Sequence, residues 1–349
     1  MKKKVHPELL RILAILMVLF QHSKTGGSLL FLTTSNNAEY AVSLLLELFC
    51  KAAVPLFFMI SGAFLLGKEE SYRDLFRKRI LRMTVVLVGT SLVYYVMIGL
   101  TVPGKSLGLH SVPDFLRNLF HEPITAPLWF LYAYIAVLLV LPFLRKMVRS
   151  MENRDYMVLL LLHLAVVPLT TVAEMLIFRT TLTDQFRVPL AMESSLFFFL
   201  MGYFLENKLP EEAFTKKKVL YLSLGGVGMI FVGAVVIHFA CLRNGFTVET
   251  VTPLLDRFNA LPALTLYFAT KTFPVPQKIE KPILTLGGNV FGLYLLEKGL
   301  REVLQPILTH LTPILTALPA CFIWMAAVFI SGQIIVGLLR MIPPVRKLI

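Results

Sequence analysis

The first apolar stretch of the chain carries two ionisable residues, Arg11 and His22. An imidazole titrates near neutral pH and can take up a proton, while a guanidinium group binds phosphate or carboxylate. The two residues are 11 positions apart, so at about 100° per residue they share one helix face, roughly 16 Å apart along the axis. We therefore expect them to line one groove without touching. The alternative is that Arg11 snorkels to the inner membrane interface and His22 lies at the outer one.

Two carboxylates also lie where they could take part in proton transfer. Glu193 precedes the apolar run 194–204, and Glu297 lies mid-span, directly after the apolar residues 292–296. Each could orient a histidine or accept a proton; the alternative is a neutral, hydrogen-bonded carboxyl group in the core. Glu47 and Lys51 are spaced i,i+4 with the glutamate first, the favourable order for a helical ion pair, which favours a structural role.

A basic segment at 72–82 includes Arg77, Lys78, Arg79 and Arg82. Arginine is well suited to phosphate because its planar guanidinium group presents paired donors. One interpretation is therefore a cytoplasmic binding site for a polyphosphorylated ligand. The other is an ordinary positive anchor that meets anionic lipid headgroups. Composition does not separate these two interpretations.

The elements that position these residues are predicted from composition. Of the 349 residues, 56% are hydrophobic and 16% are charged, whereas a soluble domain would carry roughly 25% charged residues. The apolar runs lack the period-two alternation of a membrane barrel, so we expect an all-α, polytopic integral membrane bundle. The net charge of +13 comes from basic residues at the ends of apolar runs rather than in one stripe, which disfavours a nucleic-acid partner. The three isolated cysteines lack metal-ligand spacing, so we expect no metal site.

Hydropathy predicts about ten transmembrane helices in one domain over 1–349, with no attached soluble domain. Lysine and arginine concentrate in alternate loops, and the positive-inside rule then places both termini in the cytoplasm. The predicted spans are 8–24, 41–66, 83–102, 127–144, 156–178, 189–205, 219–241, 257–270, 282–303 and 314–340.

Several motifs occur in a fixed order along the chain. Arg11 and His22 form an Arg-x10-His pair, and the segment 54–66 has the form Pro-x-Phe-Phe-x-x-Ser-Gly at its core. Further motifs are Arg-x-x-Arg at 79–82 and Trp-Phe-Leu at 129–131, with aromatic and glycine blocks at 197–203 and 290–296. Taken together they resemble the acyltransferase 3 family of bacterial integral membrane O-acyltransferases.

The resemblance implies that an acyl group, commonly acetyl, moves from cytoplasmic acyl-CoA to a hydroxyl group of an envelope glycan or lipid-linked saccharide. It implies a multi-pass protein of the bacterial cytoplasmic membrane that uses acyl-CoA, most simply acetyl-CoA, as co-substrate. His22 would act as general base or form an acyl-histidine, and Arg11 would position the donor. The residues expected to contact acyl-CoA are Ser61, Gly62, Arg77, Lys78, Arg79 and Arg82.

One position departs from the family pattern. The family often reads Tyr-Leu-x-His near the last motif, whereas this chain has Glu297 in place of the histidine. A non-catalytic sensor that retains the architecture is therefore one alternative function. A multi-span secondary transporter is another, although the paired inverted repeats typical of such folds are not evident in the sequence.

Overall fold

The structure is a computed structural model that describes residues 4–101, 112–179 and 187–349. It is 86% helical, without a strand in the described ranges, which confirms the all-α prediction. The α-helices are α1 (Val5–Gln21), α2 (Asn37–Cys50), α3 (Ala53–Leu65), α4 (Tyr72–Leu75), α5 (Leu81–Thr101), α6 (Val112–His121), α7 (Trp129–Ser150), α8 (Asn153–Leu164), α9 (Thr170–Val172), α10 (Pro189–Met192), α11 (Ser194–Tyr203), α12 (Lys216–Asn244), α13 (Val248–Leu255), α14 (Ala260–Thr272), α15 (Gln277–Val303), α16 (Gln305–Leu315), α17 (Ala317–Leu339) and α18 (Pro343–Leu348).

Within the described residues, six helical stretches are long and apolar enough to cross a membrane. They are Asn37–Leu65, Tyr72–Ile98, Ala126–Ser150, Asn153–Phe178, Lys216–Asn244 and Ala317–Leu339. Each coincides with one predicted span, so the multi-pass character is supported while the count of ten is not confirmed. The other four predicted spans also form helices, namely α1, α11, α14 and α15. Three of these are short, and α15 carries charged residues near both ends.

The contacts group the chain into two compact units. The first comprises Met1–Gly67 and Ser150–Val336, and the second comprises Lys68–Arg149 and Gly337–Ile349. The prediction of a single domain is not tested by this grouping and stays a prediction. In the first unit α1 is central, because it packs against α2, α3, α14 and α15.

A close helix crossing organises the first unit. A Cβ atom on Gly62 of α3 would lie 1.8 Å from the carbonyl oxygen of Phe199 on α11. A Cβ atom on Gly202 of α11 would lie 1.9 Å from the carbonyl oxygen of Met59. Small residues let helix backbones approach in this way, so these two glycines fix the distance between α3 and α11.

Candidate active site

His22 lies where α1 ends. It is the C-cap residue, with near-helical backbone angles, and its N–H donates to the Val18 carbonyl at 3.0 Å. Its side chain remains 30% exposed although much of α1 is buried. The imidazole is therefore held at the end of a packed helix and remains accessible.

Glu297 of α15 faces this imidazole. Nδ1 of His22 lies 3.2 Å from the carboxylate, and the Glu297 side chain is fully buried. An ionised carboxylate only accepts hydrogen bonds, so Nδ1 must be the donor in this contact. In neutral His22 the lone pair then lies on Nε2, which has no hydrogen-bond partner among the described residues. This is the protonation state that a general base requires.

Arg301 holds the same carboxylate from the other side. Its Nε donates to Oε2 of Glu297, and its Nη2 lies 3.4 Å from Oε1. Its Nη1 lies 3.4 Å from the backbone carbonyl of His22. One guanidinium group thus contacts both members of the His22–Glu297 pair, which joins the end of α1 to the last turns of α15.

Three buried serines hold the loop that follows His22. The Ser23 hydroxyl donates to the Phe20 carbonyl at 2.6 Å and accepts from the Ser28 N–H at 3.0 Å. The Ser28 hydroxyl donates to the Gln21 carbonyl at 2.8 Å. From α2, the Ser43 hydroxyl donates to the carbonyl of residue 27 at 2.7 Å. These bonds satisfy backbone polar groups of the turn and hold the chain directly after His22 in place.

Arg11 lies in a different cluster, in the first half of α1, whereas His22 lies at the end of that helix. Its Nη1 donates to Oε1 of Glu8, one turn earlier, at 2.6 Å. Glu8 packs on α15 at Gly287, where an added Cβ atom would lie 2.5 Å from the Glu8 Cβ. The structure thus pairs Arg11 with Glu8 rather than with His22, in agreement with the expectation that the two do not touch. The donor-positioning role of Arg11 stays a prediction.

A polar cavity of about 270 Å³ lies beside the start of α1. Beside it, the buried carboxyl group of Glu206 accepts from two lining residues, Lys4 at 2.5 Å and His6 at 3.2 Å, and from Tyr267 at 2.9 Å. Burial alone would raise the pKa of Glu206, but hydrogen bonds from His6 and Lys4 lower it to about 2. Lys271 lies 3.5 Å from Glu206 and 3.6 Å from Glu211. The cations of this cluster are therefore already matched by carboxylates.

The structure does not bring Glu193 to His22. Glu193 is exposed, precedes α11, and accepts a hydrogen bond from Ser195 at 2.8 Å. Its predicted catalytic role is not supported by this contact and stays a prediction. Ser61, next to the crossing glycine Gly62, donates to the carbonyl of Phe57 in its own helix at 2.8 Å, so its donor-binding role also stays a prediction.

The basic segment belongs to the second unit, and most of its members have protein partners. Nε of Arg79 donates to both carboxylate oxygens of Glu70, at 3.0 and 2.9 Å, and Arg145 donates to Oε2 at 2.9 Å. Burial would raise the pKa of Glu70, but these hydrogen bonds outweigh it and hold the pKa below its usual value. Arg79 is thus part of a structural ion-pair network.

The other three basic residues differ in how they are engaged. Arg82 donates to the carbonyl of Leu348 at 2.9 Å, and Lys78 pairs with Asp74 at 3.1 Å. Arg77 is exposed and has no partner among the residues that the structure describes. Of the four predicted phosphate-binding residues, Arg77 is therefore the one that could contact an anion without first breaking an internal bond.

Sequence reasoning missed Arg301, although the sequence contained a signal for it. Glu297 and Arg301 are spaced i,i+4 with the acid first, the same arrangement that predicted a pair between Glu47 and Lys51. That second pair is confirmed, with Nζ of Lys51 3.3 Å from the Glu47 carboxylate. The serine network gave no such signal, because it depends on the local path of the chain after α1.

Comparison with known proteins gives one match. The family model described as an acyltransferase domain, acyltransferase 3, matches residues 6–333. The matched range contains His22, Glu297 and Arg301 as well as the basic segment. Neither the curated proteins nor the solved structures that were compared gave a match.

Proposed function

The chain belongs to the acyltransferase 3 family, and from that premise we propose that it transfers an acyl group from acyl-CoA to a hydroxyl group of a cell-envelope acceptor. Membership supports a membrane acyltransferase in general. The finer parts of the proposal are the acetyl group, a glycan or lipid-linked saccharide as acceptor, and His22 as general base. We also propose the bacterial cytoplasmic membrane as its location.

The contact between His22 and Glu297 is the observation that carries the proposal. A carboxylate 3.2 Å from Nδ1 orients the ring and favours the tautomer with a free Nε2 lone pair. A buried acid, a histidine and an accessible ring nitrogen are the arrangement that acyl-transfer enzymes use to activate a hydroxyl group. The glutamate at the position of the family histidine fits a working role for this site better than the sensor alternative.

The proposed reaction is a direct transfer. Nε2 of His22 removes the proton of the acceptor hydroxyl as its oxygen attacks the thioester carbonyl carbon. The new C–O bond forms, the C–S bond breaks, and the CoA thiolate takes the proton back from the imidazolium. Glu297 stays ionised throughout and stabilises the transient imidazolium charge. The products are the acyl ester and free CoA.

The donor side of the proposal rests on charge. CoA carries phosphate groups, and exposed arginines bind phosphate well. Arg77 and its basic neighbours supply such charge on a segment that the positive-inside rule assigns to the cytoplasm. This is where a cytoplasmic acyl-CoA would first be bound.

The test uses everted membrane vesicles that contain the protein and its native acceptors, supplied with radiolabelled acetyl-CoA. His22→Ala is expected to lose transfer by roughly a hundredfold or more, the usual contribution of a general base. His310→Ala is the matched control, because His310 is exposed and its ring bonds only to its own helix, at the Pro306 carbonyl. Transfer by His22→Ala at the rate of the control would contradict the proposal.

A further inference from the structure

Arg301 makes contacts that a surface charge on a helix would not need. Its side chain is only 13% exposed, and it donates to Glu297 through Nε and Nη2 while Nη1 reaches the carbonyl of His22. Its guanidinium group is therefore a cation that balances the buried carboxylate of Glu297. The same group also contacts the backbone of His22.

A buried carboxylate without a cation is costly, and it relieves the cost by taking up a proton. A protonated Glu297 would have a hydroxyl group that can donate to Nδ1 of His22. The imidazole would then carry its own proton on Nε2, the nitrogen that has to accept one. Loss of the cation would thus switch the ring to the tautomer that cannot act as a base.

We propose that Arg301 is a positioning residue of the acyl-transfer reaction, which keeps Glu297 ionised and thereby keeps the lone pair of His22 on Nε2. This inference rests on the proposed function, since it assumes that His22 is the base. Arg301 is not assigned any contact with donor or acceptor; it acts through Glu297.

The other charges around Glu297 do not replace Arg301. Lys298 is adjacent in sequence, but its Nζ is paired with Glu302 one turn on. Lys24 follows His22 in the chain and lies within electrostatic range of Lys298, on the exposed side. His22 itself faces Glu297 from α1, but an imidazole carries a charge only after it takes up a proton, so it is not a permanent cation. Arg301 is the permanent cation hydrogen-bonded to this carboxylate among the described residues.

The experiment measures release of free CoA thiol from acetyl-CoA in everted vesicles across a pH range. Arg301→Gln is expected to lower kcat at neutral pH by roughly tenfold or more, within the contribution of a general base, with KM for acetyl-CoA unchanged. Its kcat should rise with pH toward the wild-type value, because Glu297 regains its charge. Arg301→Lys retains the cation and should restore most of kcat. Arg257→Gln is the matched control, since Arg257 is exposed and donates to the Pro253 carbonyl of the preceding helix α13.

A double-mutant comparison separates action through Glu297 from an independent role. In a Glu297→Gln background, Arg301→Gln should cause no further loss of kcat. Losses that multiply, a loss that does not depend on pH, or a wild-type rate for Arg301→Gln would overturn the inference. If Arg301→Gln alone does not fold, the double variant is measured instead, because it leaves no unpaired charge. A kcat below that of Glu297→Gln then overturns the inference.

The two proposals fail in different ways. Full activity of His22→Ala contradicts the proposed function itself. Loss of activity in His22→Ala together with a wild-type rate and pH profile for Arg301→Gln contradicts only the role of Arg301.

Discussion

At the scale of single residues, the glutamate at position 297 is the informative departure from the family pattern. A histidine there would present a second imidazole to His22, whereas Glu297 presents an acceptor held by Arg301. The carboxylate can orient the imidazole and balance the charge it gains when it takes a proton. The departure is therefore compatible with catalysis by His22.

Replacing this carboxylate by an amide tests its contribution. Glu297→Gln should lower kcat by roughly a hundredfold with little change in KM for acetyl-CoA, because the amide can hold either tautomer of His22 and carries no charge. Initial rates of thiol release give both constants. Glu302→Gln is the control on the next turn of α15, at a side chain 60% exposed. A Glu297→Gln enzyme as fast as this control would show that the carboxylate has no part in the rate.

Sequence reasoning found His22 and Glu297 but neither Arg301 nor the arrangement of the site. His22 and Glu297 were both candidates because ionisable groups are costly in apolar segments. They are 275 residues apart in the chain, and periodicity carries no information about which distant helices meet. Glu193, chosen on the same grounds, lies at an exposed helix start instead. Burial by other helices, which the sequence does not display, distinguishes the two glutamates.

At the scale of helices, the elements that carry the site are not among the apolar membrane-crossing candidates. α1 and α15 contact one another at Glu8 and Gly287 and again, further along both helices, at His22 and Glu297, so they run in the same direction. A helix surrounded by protein can carry polar groups that lipid would not tolerate. This is why hydropathy defines the six apolar candidates better than the helices that carry the site.

The crossing of α3 and α11 gives a stability prediction. Gly62→Ala places a methyl group against the Phe199 carbonyl, so α3 must move or the fold must loosen, at a cost of about 3 kcal/mol. Gly228→Ala on α12 meets no atom within 4 Å and should leave stability unchanged. Thermal unfolding of the two variants in detergent measures the difference. Equal Tm values would mean that the two helices are not in close contact.

At the scale of the whole molecule, the distribution of lysine and arginine carries the prediction of orientation. The six apolar candidates begin with Asn37–Leu65, so the side on which the N-terminus lies depends on whether α1 also crosses the membrane. If α1 spans, the start of the chain is cytoplasmic and the segment before α2 is outside. If α1 does not span, the start of the chain and the segment before α2 both lie outside, because the basic segment after α3 is inside.

Single cysteines distinguish these topologies, because the three native cysteines are buried. Ser35→Cys should react with a membrane-impermeant maleimide in intact cells, and Lys4→Cys only after the membrane is opened. Lys68→Cys is the control for an inner position. Labelling of Lys4→Cys from outside would remove α1 from the membrane-crossing set.

The three buried serines around the turn after His22 have a consequence for how this protein could diversify. Their hydrogen bonds run to α1, to α2, to Cys321 of α17 and within the turn, so helices rather than other connecting segments hold the turn. Descendants of such a protein can exchange those segments, and with them their acceptors, while inheriting the base intact. The same independence makes the turn a fixed point for grafting new acceptor-binding loops in the laboratory.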